Sequence, residues 1–447
     1  MKKNRQILTL YEYDRLDFKS SISHQTSATL NKVMEGLSKH VKGRVLERVL
    51  NSRNETVGIR AFQYVGVIRI DDSLTIEILP KMYRQADAQI DNEKSINIDN
   101  LFFMLDYCGQ VNIPHSDSTQ LHKTKGSFFE TLIYLFASDL LNCIQNAAHH
   151  EYVAKEDNLP YLRGKLLLNK HITLNSINKS RFYLQSDMFT ADNDLNRIFK
   201  YVSKMLLGAT KNSRNKNILL QILSIFDEVT DTRITSQNAE RITLTRLNIR
   251  FEQSLKLSKL FLASQSVQLS ASNYDSFTFL IDMNRLFEEF ISSALRKILK
   301  RSKNTEITIK KQGPIKTFVE YTQYDQKGIF RMKPDITILR SKVVSAIIDT
   351  KYKILQDDRK LGVSQPDLYQ MYAYANKYKT SDITLLYPEK PNDFDFLRET
   401  DFYIDESCTV KVRTINLGYR LSFDRARSVE KRLYELIMAN VEVPLGL

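Results

Sequence analysis

Asp335, Asp349 and Lys351 are the residues whose types and spacing could do chemistry. They stand in the stretch Arg331 to Lys353, which reads RMKPDITILRSKVVSAIIDTKYK. PDITIL is a β-rich run opened by proline, Arg340-Ser341-Lys342 reads as a turn, and VVSAII is long and apolar enough for a buried strand. Side chains alternate along a strand, so Asp349 and Lys351 leave one face and Thr350 the other. A hairpin would return Asp335 to the side of Asp349, and two carboxylates and an ammonium would then converge at one sheet end. Mg²⁺ is usually held by one or two carboxylates together with water and substrate phosphate oxygens. That chemistry suits phosphodiester hydrolysis: a bound cation polarises the phosphoryl group, and Lys351 orients or deprotonates the attacking water. Four fixed positions across a loose gap also occur by chance, so the flanking elements must carry part of the argument.

Upstream, MNRLFEEFISSALRKILK (283–300) is amphipathic, with Leu286, Phe287, Phe290, Ile291, Ala294, Leu295 and Ile298 on one broad face. Glu288 borders that face, in line with Ile291 and Leu295, and is expected to point at whatever the helix covers. The alternative is an edge carboxylate paired with a lysine. Glu289 shares its side with Arg285 and Arg296, as a solvated residue would. Downstream, Ser364-Gln365-Pro366-Asp367 opens a helix, with proline suited to the first turn and an acid suited to the dipole. Gln370 and Tyr374 are four apart on that helix, so an amide and a phenol share a face and could flank a phosphate or fix the lysine.

The order helix glutamate (LFEEF), Pro-Asp, Asp-Thr-Lys-Tyr and Gln-Met-Tyr-Ala-Tyr resembles the PD-(D/E)XK nuclease superfamily. More narrowly, it is similar to the McrC family, the nuclease subunit of McrBC-type modification-dependent restriction systems. The resemblance implies a C-terminal α/β nuclease domain with a mixed central sheet. It implies Asp335, Asp349 and Glu288 as metal ligands for Mg²⁺ or Mn²⁺, and all three, with Lys351, Gln370 and Tyr374, as catalytic residues. It further implies a McrB-like AAA+ GTPase ring as a separate partner chain that reads the modified base, and modified double-stranded DNA, such as phage DNA carrying 5-methylcytosine, as substrate.

A chain of 447 residues, 42% hydrophobic and 26% charged, is ordinary globular protein, too long for a single core. Its 13 glycines and 9 prolines argue against a loop-dominated or disordered chain. The formal charge of +13 favours a polyanionic partner, and the surplus is spread along the chain with no basic tail. Cys108, Cys143 and Cys408 are too far apart for a zinc site or a disulfide framework and are expected to be buried thiols in a reducing cytosol. The N-terminus lacks the apolar core of a signal peptide, and no apolar run could span a bilayer, so a cytoplasmic protein without membrane contact is expected. No Walker A pattern occurs, so the chain itself is not expected to bind a nucleotide.

These patterns suggest a mixed, multidomain α/β and α protein in three parts. Residues 1–95 read as β-rich, with a strand in ILTLYEY, a helix in ATLNKVMEGLSKHV and a hairpin about Asp71-Asp72-Ser73. The resemblance assigns this part to docking on the AAA+ partner. QADAQIDNEKSINIDN reads as a linker or exposed loop. Residues 96–270 read as helical, with SFFETLIYLFASDLLNCIQNAAHH apolar enough to lie inside a bundle. His149 and His150 are expected on the surface at the end of that helix. Within EYVAKEDNLPYLRGKLLLNKHI, Arg163, Lys165 and Lys170 either meet DNA phosphates or sit in a solvated turn between helices, the plainer reading. Lys353 is a further candidate phosphate contact. Residues 271–447 hold the glutamate helix, a strand pair in IKTFVEYTQY and GIFRM, the motif hairpin, the glutamine-tyrosine helix, strands in DITLLYP and TVKVRTINLGY, and a closing helix, an order that suits an α/β sandwich.

Readings from different classes follow. One is a Mg²⁺-dependent endonuclease subunit that works with an NTP-driven partner. Another is a regulatory or interaction subunit that keeps the nuclease fold as a scaffold. A third is a stand-alone RecB-like repair nuclease. Two acids held together against their mutual repulsion speak for the metal-dependent enzyme.

Overall fold

The computed structural model describes residues 6–18, 24–41, 43–53, 55–71, 74–81, 90–111, 128–146, 149–264, 277–302, 306–321, 328–356, 358–389, 399–406, 408–417 and 423–438. The chain forms two compact units, one from residues 1–113 and 267–447 and one from residues 114–266. The three-part division read from the sequence therefore takes another shape here, because the first and last parts share a sheet.

That sheet explains the sharing. Strands β1 (Gln6–Tyr11), β5 (Tyr64–Arg69), β6 (Leu74–Leu79) and β10 (Phe277–Asp282) form a four-stranded sheet in the order β1-β6-β5-β10. The expected hairpin about Asp71 is β5–β6, antiparallel, and β1 lies parallel to β6. Strand β10 comes from beyond residue 270 and pairs antiparallel with β5, Phe277 opposite Arg69 and Asp282 opposite Tyr64. Their approach needs glycine at 66, whose φ is +148° and where a Cβ would lie 2.0 Å from the Phe279 carbonyl oxygen. Helix α1 (His24–His40) covers the sheet with Leu30, Val33 and Leu37, packed in one core with Ile68, Ile76 and Ile78. A second sheet of β2 (Arg15–Asp17), β3 (Leu46–Leu50) and β4 (Thr56–Ala61) has the order β2-β4-β3.

Residues 85–100, read as a linker, are helical from Ile90 onward, within helix α2 (Ile90–Tyr107); residues 85–89 lie outside the described residues. Asn97 and Asn100 are fully buried in it. The helix is held by tertiary packing: the Tyr107 ring lies 5.0 Å from that of Phe290 and Phe103 6.5 Å from it. Phe290 belongs to helix α9 (Met283–Ser302), which follows β10 without a loop.

The remainder of the first unit centres on a six-stranded mixed sheet, order β11-β14-β15-β16-β18-β17. Its strands are β11 (Ile307–Lys311), β14 (Ile336–Arg340), β15 (Val343–Thr350), β16 (Asp382–Pro388), β17 (Thr400–Asp405) and β18 (Cys408–Ile415). β15, β16 and β18 run parallel, and the outer pairings are antiparallel. The expected strand pair is present as a separate two-stranded ribbon, β12 (Lys316–Val319) with β13 (Ile329–Met332). Helix α10 (Gln365–Tyr378) buries Met371, Tyr374, Ala375 and Tyr378 against Ile347, Ile383, Leu385, Val410 and Val412. Helix α9 packs on β11 and β15, and helix α11 (Phe423–Leu433) on α9 and β18.

The second unit is a helical bundle of α3 (Phe128–Asn146), α5 (Asp194–Ala209), α6 (Ser213–Ile225) and α8 (Glu252–Ser264), with the short helices α4 (Leu168–Leu174) and α7 (Ser236–Glu240). α3 is apolar on most sides, as expected, and Phe129 and Phe136 pack edge-on to Phe261. The region is not all helical. Strands β7 (Glu151–Leu159), β8 (Lys165–Leu166) and β9 (Phe182–Thr190) form an antiparallel sheet, and β7 is paired with β9 from Glu151–Thr190 to Leu159–Phe182. Arg163 and Lys165 thus flank a turn between strands, where Gly164 has φ +77° and a Cβ would lie 2.3 Å from the Gln185 carbonyl oxygen. His149 is buried, contrary to the expected surface position. Asn196 and Asn193 donate side-chain hydrogen bonds to its carbonyl oxygen at 2.8 and 3.3 Å, and its ring packs on Phe251. His150 is exposed, as expected, and stacks on Phe189. All three cysteines are free; Cys408 is buried, and Cys108 and Cys143 are half-buried where full burial was expected.

Gly66→Ala is expected to lower stability by about 3 kcal/mol, because backbone on the paired strand must shift. Gly208→Ala, within helix α5 and with no atom within 4 Å of the added methyl, is expected to hold or raise stability by up to about 1 kcal/mol. Urea unfolding of the two variants beside the parent chain checks this; an unchanged midpoint for Gly66→Ala would refute the close-approach argument.

Candidate active site

The motif hairpin is built as its residues dictate. Ser341 and Lys342 both take positive φ, +47° and +70°, the backbone of a tight two-residue turn whose twist suits paired strands. The register pairs Ile336 with Ile348, so the next residues outward, Asp335 and Asp349, meet at the open end. β15 then continues beside β16, and the Lys351 amide donates to the Leu386 carbonyl at 2.9 Å. Asp349 and Lys351 share a face, as alternation requires, and the Lys351 Nζ lies 2.7 Å from Asp349 Oδ2.

Each charge has a holder. The Thr350 amide and hydroxyl both donate to Asp335 Oδ2 at 3.0 Å. The Gln312 side-chain amide donates to Glu288 Oε1 at 2.6 Å and reaches Asp335 Oδ1 at 3.5 Å, while its backbone N–H donates to the Asp335 carbonyl at 2.7 Å. Lys351 also lies 3.2 Å from Asp367 Oδ1 and donates to Gln370 Oε1 at 3.3 Å. The Gln370 amide in turn donates to the Tyr374 hydroxyl at 3.0 Å. Asp367, at the start of α10, accepts from Ser364 Oγ at 2.6 Å and from Lys353 Nζ at 3.0 Å.

The structure therefore brings Asp335, Asp349, Lys351, Gln370 and Tyr374 together. Glu288 is buried, as its place on the helix predicted, but it stands behind Gln312. Among the described residues no three acidic, histidine or cysteine side chains converge closely enough to hold an ion by themselves. Glu289, read as solvated, is half-buried and paired with Lys311. Lys353, a candidate phosphate contact, has its charge engaged by Asp367. Arg163, Lys165 and Lys170 belong to the other unit, where Lys170 pairs with Glu156. Sequence reasoning missed Gln312 and the second role of Asp367. The i, i+3 spacing of Asp367 and Gln370 carried a signal for the latter.

Electrostatics follow from burial. Asp349 is 2% exposed, and burial, reinforced by the Asp335 charge, pushes its carboxyl up to about 7. Burial also raises Glu288, opposed by the Gln312 hydrogen bond and aided by Asp335. Burial disfavours the Lys351 charge, but Asp349 and Asp367 outweigh it and raise its pKa. Burial likewise works against the Asp367 charge, yet the Ser364 hydroxyl, Lys353 and Lys351 together hold that carboxyl down at about 2. The residues fit a divalent cation: Asp349 Oδ2 is buried with no aligned hydrogen bond among the described residues, so it keeps a lone pair for a metal beside its ion pair. Asp335 and Asp349 are the one or two carboxylates that Mg²⁺ or Mn²⁺ would need.

Comparison with known proteins gives a consistent picture. A family model described as McrBC 5-methylcytosine restriction system component matches residues 59–388. A solved structure from Thermococcus gammatolerans, a half-complex from a tetradecameric assembly of McrB AAA+ hexamers with bound McrC, is similar in fold, with TM-score 0.65 and 22% identity, covering 97% of this chain and 100% of that one. A cryo-EM structure of the McrBC complex from the same organism is 28% identical over 66% of this chain and 88% of that chain, with TM-score 0.49. No curated protein matches. Among the described residues no helix is long and apolar enough to cross a membrane.

The raised Asp349 pKa has a sign that can be tested. Its folded value lies above its unfolded one, so stability falls as pH rises from the unfolded value of 3.8, where the unfolded chain gives up the proton first, and levels off above about 7, where the buried carboxyl ionises too. In EDTA, Asp349→Asn is expected to gain thermal stability relative to the parent as pH rises from 5 to 7, and to lose the stabilisation expected of Mn²⁺ on the parent. Melting curves at the two pH values, with and without Mn²⁺, decide it; a parent-like Mn²⁺ shift in the variant would remove Asp349 from the metal site.

Proposed function

Because the chain belongs to the McrBC 5-methylcytosine restriction system component family, we propose that it is the endonuclease subunit of such a restriction system, with a PD-(D/E)XK catalytic domain. The observation that carries this reading is the convergence of Asp335, Asp349 and Lys351 at one hairpin end, with Gln370 fixing the lysine. Mg²⁺ or Mn²⁺, when bound by Asp335 and Asp349, would supply positive charge to the phosphoryl oxygens. Thr350 and Gln312 hold Asp335 in place for that role. Lys351, whose proton is kept by two neighbouring carboxylates, serves as a cation that binds a phosphate oxygen and orients water, in preference to acting as a base. Gln370 and Tyr374 hold its amine toward the site.

A purely structural scaffold is disfavoured by the same residues. A buried carboxylate beside a second one costs stability, and a scaffold would gain nothing from it. A stand-alone repair nuclease is separated by its independence from a partner. We place the partner as a McrB-like AAA+ ring, following the Thermococcus gammatolerans assembly of McrB AAA+ hexamers with bound McrC. The docking surface is better sought in the second unit than in residues 1–95, which are built into the unit of the catalytic sheet through β5 and β10. The end of the β7–β9 ribbon exposes Tyr161, Leu162, Leu168, Ile172 and Ile177 between 55% and 96%, and α4 there buries none of its residues. Apolar surface of this kind marks a protein contact.

Two experiments test these assignments. The chain, with and without the AAA+ partner, is incubated with methylated or unmethylated DNA, Mg²⁺, and GTP or ATP. Cleavage is expected with the partner, nucleotide and methylated DNA, and a loss of at least about a hundredfold in Asp349→Ala. Cleavage indifferent to that substitution sinks the site, and cleavage by the chain alone favours the repair reading. For docking, Leu162→Asp with Ile177→Asp is expected to abolish stimulation of the partner's NTPase without moving the melting temperature; retained stimulation would redirect the search to another surface.

A further inference from the structure

The β12–β13 ribbon is not used by the chemistry above, and its composition is unusual for a surface element. It exposes two aromatic rings, Phe318 at 54% and Phe330 at 71%, and Tyr321, two residues beyond the end of β12, is exposed at 67%. Phe330 adopts φ +57°, a left-handed backbone that a bulky side chain takes only at a cost. Scattered single apolar residues on a surface need no explanation, but two rings on one short ribbon with a third just past its strand, one of them on strained backbone, do.

Its setting narrows the occupant. β13 ends at Met332, and only Lys333 and Pro334 separate it from Asp335. The base of the ribbon is fixed to α10, the helix that carries Gln370 and Tyr374. There Lys316 Nζ donates to the Lys377 carbonyl at 2.9 Å, and the Tyr378 hydroxyl donates to the Pro314 carbonyl at 2.6 Å with the Met332 carbonyl 3.2 Å away. The charges around it favour a polyanion. Lys310, Arg331 and Lys333 are exposed with no ion pair among the described residues, while the acid Glu320 is neutralised by Lys377 at 2.7 Å. A two-stranded ribbon fits a groove of duplex DNA, the major one being roughly 12 Å wide, and apolar side chains brought to the bases from the minor groove can wedge between base steps and partly unstack them.

We propose that the β12–β13 ribbon lies in a groove of duplex DNA beside the scissile phosphate, with Phe318 and Phe330 against the bases and Arg331 and Lys333 on the backbone. This rests on the nuclease reading, since it is the phosphodiester at Asp335 that brings duplex DNA alongside the ribbon. The ribbon then sets where on the strand the catalytic hairpin falls.

The test uses the full-length chain and a fluorescein-labelled 30-base-pair duplex carrying 2-aminopurine, in Ca²⁺ to hold back cleavage. Binding is read by anisotropy and base stacking by 2-aminopurine emission. Phe330→Asn, which tolerates the left-handed backbone, and Phe318→Ala are each expected to weaken binding about tenfold, within the range lost when a base-stacking aromatic is removed, and to abolish the emission change. Both positions are exposed, so the melting temperature stays at the parent value. Arg331→Ala is expected to weaken binding and flatten its salt dependence. Parent-like affinity and emission in both aromatic variants would overturn the proposal, and so would failure of the parent chain to bind duplex. Unchanged DNA binding with lost stimulation of the AAA+ partner would assign the ribbon to protein instead. Binding by the parent without cleavage in Mg²⁺ and partner would sink the nuclease reading while the ribbon is still judged by affinity.

Discussion

The constraint on which the candidate site depends is the enforced proximity of Asp335 and Asp349. A two-residue turn fixes the register of β14 and β15, and the register leaves the two acids no choice but to meet. Removing two like charges from water together is unfavourable, and the cost is offset only if each is held by donors. The donors come from separate parts of the chain: Thr350 from the same hairpin, Gln312 from the segment after β11, and Lys351 with its own anchors Asp367 and Gln370 on α10. The six-stranded sheet and the helices packed on it thus have a shared task, to keep a repulsive pair in place. A bound cation would relieve that repulsion, and Asp349 Oδ2, whose only close neighbour among the described residues is the Lys351 ammonium at 2.7 Å, has a lone pair left to take it.

The hairpin was readable because everything that makes it is local. Strand periodicity gave the faces, a short polar stretch gave the reversal, and both lie within about twenty residues of sequence; the left-handed backbone of Ser341 and Lys342 came only with the structure. Ser364-Gln365-Pro366-Asp367 was readable as a helix start for the same reason, and the structure shows the Ser364 and Asp367 side chains capping each other's backbone. What Asp367 does for Lys351 and Lys353 was not readable, since the contact spans separate elements. Gln312 was invisible for a stronger reason: its role depends on a positive φ and on a helix glutamate 24 residues before it, and nothing in its neighbours announces either.

The misread regions fail in two distinct ways. Residues 90–100 carry asparagines and acids that belong in a loop by composition, yet Asn97 and Asn100 lie inside, and the helix is secured by aromatic packing of its second half on Phe290. Tertiary contacts overrode propensity there. In β7 and β9 the difficulty is opposite, because both faces of much of the ribbon meet solvent, so the alternation of apolar and polar residues that betrays a half-buried strand is weak. Its exposure is also what makes it a candidate contact surface.

The joining of the first and last parts of the chain has a mechanical consequence for the site. β10 is locked to β5 by pairing along its length and by the glycine at 66, and it runs directly into α9. The Asp282 side chain accepts from the Asn284 amide at 3.0 Å, which fixes the helix start at the last residue of the strand. Glu288 lies less than two turns further on, and through Gln312 it reaches Asp335. A displacement of the N-terminal sheet therefore cannot be absorbed by a flexible linker before the carboxylates; it must be taken up either by breaking the β5–β10 ladder or by moving α9. The ladder has many hydrogen bonds and the Gln312 side chain makes two, the one to Asp335 at 3.5 Å, so that bridge yields first: Asp335 stays with Thr350, and the position of Glu288 is the quantity most exposed to forces that arise in residues 6–81.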